Sequence, residues 1–126
     1  MIKLKVPIKI VSEFNNFEHW RIKHKRHKIQ KLHVAYALRI LSISLPIHVT
    51  LTRIAPRKLD GDNLQGGMKW VRDAVSEFLI PGKRAGMSDS DPLITWHYAQ
   101  EKGLPKEYAL AITFSHNACS ELAQDS

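Results

Sequence analysis

Between residues 63 and 79 the apolar side chains Leu64, Met68, Val71, Val75, Phe78 and Leu79 recur at a helical period, leaving the opposite face polar. A helix with one apolar stripe must bury it against something flat, and the flanking sequence supplies candidates with a period of two. Ile2, Leu4, Val6, Ile8 and Ile10 alternate with Lys3, Lys5, Pro7 and Lys9, which predicts a strand with one basic face and with Pro7 at an edge or bulge. Residues 48–54 are rich in β-branched side chains. As a strand they turn Val49, Leu51 and Arg53 one way and His48, Thr50, Thr52 and Ile54 the other. The expected fold is therefore α+β, a mixed β-sheet packed against two α-helices.

The other helix is predicted over residues 28–42, where Val34, Leu38 and Leu41 form one stripe with Ala37 beside it. The preceding residues 19–31 read as a basic arm or as the first turns of that helix, and Leu45-Pro46 ends the element. Pro81-Gly82 closes the second helix. Residues 93–99 and 108–114 are two further strands, expected to pair as a hairpin around the turn at Gly103-Leu104-Pro105. Residues 115–126 form a polar tail expected to fray. A chain of 126 residues, 44% hydrophobic, fits a single domain (1–126) with a real core and excludes wholesale disorder. Its small size makes dimerisation an expectation.

Charge divides the chain. Residues 1–59 hold 13 Lys and Arg against Glu13 and Glu18, a net +11; residues 60–126 hold 6 Lys and Arg against 10 Asp and Glu, a net −4. The basic half suits a polyanion, and the acidic half suits cations or work on a phosphate. Arg21, Lys23, Lys25, Arg26, Lys28 and Lys31 fall within residues 19–31 with no acid among them. This is the footprint of a phosphate-contacting segment, with Trp20 placed to stack on bases; a solvated charged helix face is the alternative. Arg57, Lys58 and Arg72 lie beside the carboxylates and would clamp phosphate or form surface ion pairs. His24 and His27 fit the basic surface better than a metal site. Trp70, Trp96 and Tyr98 fit a core or dimer interface. Cys119 is the single cysteine, so an intrachain disulfide and a cysteine-based zinc site are excluded. With no signal peptide and no apolar run near the ~20 residues of a membrane span, the expectation is a cytoplasmic protein with no membrane partner.

The carboxylates Asp60 and Asp62 stand just before the amphipathic helix. Asp62 is placed to cap it, with Gln65 three residues on in capping-box position. At ~100° per residue, Asp62, Gly66, Lys69 and Asp73 form one stripe opposite the apolar one. Hard cations such as Mg²⁺ need few protein oxygens because they keep several waters, and Asp89 and Asp91 offer a further carboxylate. Residue types and spacing leave two readings open: a divalent metal site, or a capped helix followed by a solvated acidic turn. The pair Gly66-Gly67 costs ~1 kcal/mol per residue relative to Ala inside a helix, which marks a kink or a close backbone approach.

The stretch Asp60-Gly61-Asp62-Asn63-Leu64, with Lys69 and Asp73 four apart and then Asp89-Ser90-Asp91-Pro92-Leu93-Ile94, resembles the RusA family of Holliday junction resolvases. The motifs span residues 53–100, and the order of elements is similar over most of the chain. The resemblance implies a RusA-like, homodimeric, Mg²⁺-dependent endonuclease (Mn²⁺ as an alternative metal). Such an enzyme nicks paired strands of branched, four-way DNA in recombination and repair, and the family occurs in phage and prophage. It also implies Asp60, Asp62 and Asp91 as metal-binding and catalytic carboxylates, Asp89 as the alternate ligand, and Lys69 as the catalytic lysine. The chain departs from the family pattern in two places. About one extra helical turn, Gln65-Gly66-Gly67-Met68, precedes Lys69, and Ser90-Asp91 stands where adjacent aspartates are common. The rival readings are a non-catalytic basic DNA-binding protein and a metal nuclease without junction preference.

Overall fold

The computed structural model describes residues 1–11, 20–82 and 91–116. Within them the chain runs β1 (Ile2–Val6), α1 (Trp20–Leu38), β2 (Ile47–Ala55), α2 (Gly61–Leu79), β3 (Ile94–Lys102) and β4 (Ala109–Ser115). The strands form one mixed sheet in the order β1-β4-β2-β3, and both helices share its core, so the α+β expectation holds. From the sheet come Val49, Leu51, Leu110, Ile112 and Phe114; α1 adds Val34 and Leu38; α2 adds Leu64, Met68, Val71 and Val75. Among the described residues the opposite sheet face carries a small buried cluster of Ile54, Ala109 and Ala111.

The expected hairpin of the last two strands is not formed. β3 runs parallel to β2 from Ile47↔Ile94 to Ala55↔Lys102, and β4 lies antiparallel on the other side of β2, from Ile54↔Ala109 to His48↔Ser115. The reason is burial. Leu110, Ile112 and Phe114 are buried under the helices, and Ala109, Ala111 and Ser115 on the opposite face are buried too. A strand covered on both faces belongs inside a sheet. The chain leaves β3 across the end of β2, where the Gly103 N–H donates to Ala55 O at 2.8 Å.

Other boundaries also shift. β1 stops at Val6, because Pro7 cannot extend the ladder, yet Ile8 and Ile10 remain buried beyond it. The basic stretch is the start of α1, which runs from Trp20 to Leu38 and not over 28–42; Ile40, Ser42 and Ile43 are weaker helix formers. Asp60, not Asp62, caps α2: its Oδ1 accepts the Asn63 N–H at 3.0 Å, and Asp62 becomes a first-turn residue. Ser115 is a buried end of β4 and not part of a tail; residues 117–126 lie outside the described residues.

Gly67 accounts for part of the glycine pair. A Cβ there would meet Val11 O at 2.6 Å and Ile10 Cγ2 at 3.0 Å, so the segment after β1 passes directly against the α2 backbone. Gly61, in the first turn, has nothing within 4 Å of a Cβ. In denaturant unfolding, Gly67→Ala should therefore destabilise by about 2 kcal/mol, overpacking outweighing the gain in helix propensity. Gly61→Ala should be neutral or stabilising by up to about 1 kcal/mol.

Candidate functional site

Three of the four residues singled out for chemistry fall at one place. Asp60, Asp62 and Lys69 are exposed at the start and third turn of α2. Arg57 and Lys58, also exposed, approach them along the β2–α2 connection. That connection is held from both sides. Arg53 is buried, and its Nε donates to Ile10 O at 2.9 Å while Nη1 donates to Arg57 O at 2.6 Å. Burial pushes the guanidinium's pKa down from its ordinary value. Leu59 exchanges two hydrogen bonds with the Gln100 side chain of β3, at 2.8 and 2.7 Å.

Asp91 lies elsewhere. Its Oδ1 accepts the Leu93 N–H at 2.9 Å, its carbonyl accepts Ile94 N–H, and the Ile47 N–H donates to Leu93 O. Asp91 is thus fixed at the leading ends of β2 and β3, whereas Leu59 is fixed to Gln100 near the trailing end of β3. Six strand steps from Ile94 to Gln100 at ~3.3 Å each amount to about 20 Å. A Mg²⁺ ion takes its oxygens at about 2.1 Å, so one chain cannot offer Asp60, Asp62 and Asp91 to the same cation. Among the described residues no group of three His, Cys, Asp or Glu side chains could hold a metal ion. The alternate ligand Asp89 lies outside the described residues.

The polar stripe of α2 is shorter than its spacing predicts. Asp73 is buried, because α2 is covered by α1 as well as by the sheet. Along that side Trp70 stacks on His27 of α1, centroids 4.2 Å apart at 20°, and Glu77 meets Lys31 of α1 at 3.4 Å. Trp70 is therefore a helix–helix contact, and His27 belongs to it. Lys69 Nζ stays 5.2 Å from the Trp70 ring centroid.

The basic residues divide by exposure. Arg21, Lys25 and Lys28 are exposed and share one face by their i, i+4, i+7 spacing. Lys23, Arg26 and Lys31 are half-buried. Trp20 is 65% exposed, with the Arg21 guanidinium 5.5 Å from its ring centroid. Arg72 is held by aromatics: Nη1 donates to Tyr98 Oη at 2.6 Å and the guanidinium lies 4.8 Å from the Trp96 centroid. Trp96 and Tyr98 pack against the core, as expected.

One pair escapes sequence reasoning. His48 Nδ1 and His97 Nε2 are 3.1 Å apart on the sheet face away from the helices, with rings stacked at 5.4 Å. Period-two alternation places each histidine on a face, but only the parallel register brings the two together. The sequence matches no known protein-family model, and no curated protein matches it. Among the described residues no helix is long and apolar enough to cross a membrane.

Desolvation, and then the charge of His48, push the His97 pKa below its ordinary 6.5. A lowered imidazole pKa means that the unfolded chain binds the proton more readily. His97 therefore contributes stability above pH 6.5 that is lost as pH falls through its folded value. Thermal unfolding should show a Tm that drops on acidification from this pH, with a smaller drop in His97→Gln.

Proposed function

We propose that this chain is a RusA-type, Mg²⁺-dependent endonuclease acting on branched DNA. The observation that carries the reading is that Asp60 and Asp62 at the start of α2, and Lys69 two turns further on, are all exposed on a helix packed beside basic α1. Arg21, Lys25 and Lys28 offer an exposed cationic row for a phosphate backbone, and Arg57 and Lys58 extend positive charge up to the carboxylates. Lys69, exposed with its Nζ 5.2 Å over the Trp70 ring, would approach a phosphate oxygen as negative charge develops on it. The two carboxylates at this place are fewer than the three that the resemblance implies, and a single chain does not supply the third. A specific observation favours the rival class: Asp60 already caps α2, the role it would have in a non-catalytic DNA-binding protein.

A synthetic four-way junction separates these readings. The nuclease should make paired nicks only with Mg²⁺ or Mn²⁺, and Asp62→Asn should lower cleavage by about 100-fold or more with binding retained. Binding without cleavage under any divalent metal supports the non-catalytic protein, and equal cleavage of linear duplex supports a nuclease without junction preference.

The cationic row has its own test. Replacing Lys25 and Lys28 by Gln should reduce the slope of log affinity against log salt by about 1.8. An unchanged slope removes that face of α1 from the DNA contact.

A further inference from the structure

Away from the carboxylates, α1 carries an apolar seam on an exposed flank. Ile22, Ile29 and Tyr36 recur every seven residues and are 55%, 43% and 67% exposed. The helical period sets them on one face, with Lys25, Arg26 and His33 between them. An exposed apolar stripe rimmed by polar residues marks a surface for a partner. Beside the two isoleucines, Pro7 and Ile8 of the segment after β1 supply a second wall, and the walls bound a groove of about 540 Å³. Gln30, buried in the groove lining, ties the walls together: its Nε2 donates to Lys9 O at 3.0 Å. The groove is therefore formed before anything enters it.

We infer that this groove receives an acidic amphipathic helix of a partner protein, with apolar side chains along its centre and carboxylates along its borders. Apolar positions that recur every seven residues on one helix suit a second helix lying lengthwise against it. Charge selects the kind of helix. The charged residues lining the groove are Lys9, Lys25 and Arg26, with no acid among them, so carboxylates on the incoming borders are complementary. A second copy of α1 does not fit, because α1 contains no acidic residue and would meet the seam with like charge. DNA is a poorer occupant, since a phosphate backbone gains nothing from walls of isoleucine and proline. A bilayer is poorer too, because a flat surface does not fill a concave groove.

The probe is a fluorescein-labelled synthetic helix with Leu at i, i+3, i+4 and i+7 and Glu at the flanking positions; a second peptide has Lys in place of Glu. Fluorescence anisotropy should show saturable binding of the Glu peptide, and binding of the Lys peptide weaker by about tenfold or more. Ile22→Gln with Ile29→Gln removes the seam at exposed positions. It should weaken the Glu peptide by about tenfold or more, with the circular dichroism spectrum and the affinity for DNA unchanged. No binding of the Glu peptide, equal binding of both peptides, or full binding by the double variant each overturns the inference. A double variant that loses affinity for DNA assigns the groove to the DNA contact. Capture of the wild type but not the double variant on phosphatidylglycerol vesicles assigns it to a membrane surface. Either result overturns the helical partner. The carboxylates of α2 enter none of these measurements, so a chain that cleaves no DNA leaves the groove's occupant standing.

Discussion

The buried guanidinium of Arg53 ties the segment after β1 to the connection that leads from β2 into α2. It sits on the central strand β2 and gives one hydrogen bond to the segment after β1 and another to the connection that leads into α2. Hydrogen bonds from a charged donor to buried carbonyls contribute roughly 1.5–3 kcal/mol each. Without this donor, two carbonyls would stay desolvated in a domain whose total stability is only about 5–15 kcal/mol. Ile10, whose carbonyl takes one of these bonds, is also one of the two residues that pass closely over Gly67. The other bond goes to the Arg57 carbonyl, in the connection that approaches Asp60.

Periodicity made the elements legible, and it could not make their neighbours legible. The stripe Leu64, Met68, Val71 and Val75 was enough to place α2 and its buried face; Val34 and Leu38 marked the buried face of α1 but not its bounds. The alternation of β2 correctly put Val49 and Leu51 on one face, the one that the helices cover. Sheet order is a different kind of information. A turn at Gly103-Leu104-Pro105 suits a hairpin by local rules, but those rules do not register that β4 buries both faces and must lie inside. The cap of α2 moved two residues for a local reason, since either aspartate has the right chemistry and only backbone geometry decides between them.

The candidate site was legible as a list and not as a place. Asp62 and Lys69 are seven residues apart, so the helix period alone predicts that they share a face; Asp60 stands just before that helix, and all three are exposed. Asp91 belongs to the other end of a βαβ unit. In such a unit the helix begins where the first strand ends, and the second strand begins where the helix ends, so carboxylates at these two corners are separated by the length of the layer. Arg72 shows the same limit. Spacing put it beside the carboxylates, but tertiary packing directs it to Tyr98 and Trp96.

The position of β4 has a consequence for how the chain reaches its fold. Among the described residues, the strand that completes the sheet interior is the last in sequence, and its partner β1 is the first, with Ile2 set against Phe114. During synthesis β1 therefore waits for almost the whole described chain before it has an edge to join, while the local unit β2–α2–β3 can already close. Contacts of such separation slow folding through the entropy of closing long loops. A nascent chain stalled before residue 109 would expose two unpaired strand edges at once. These separations favour assembly of the sheet from the parallel pair outward, with β1 docking last.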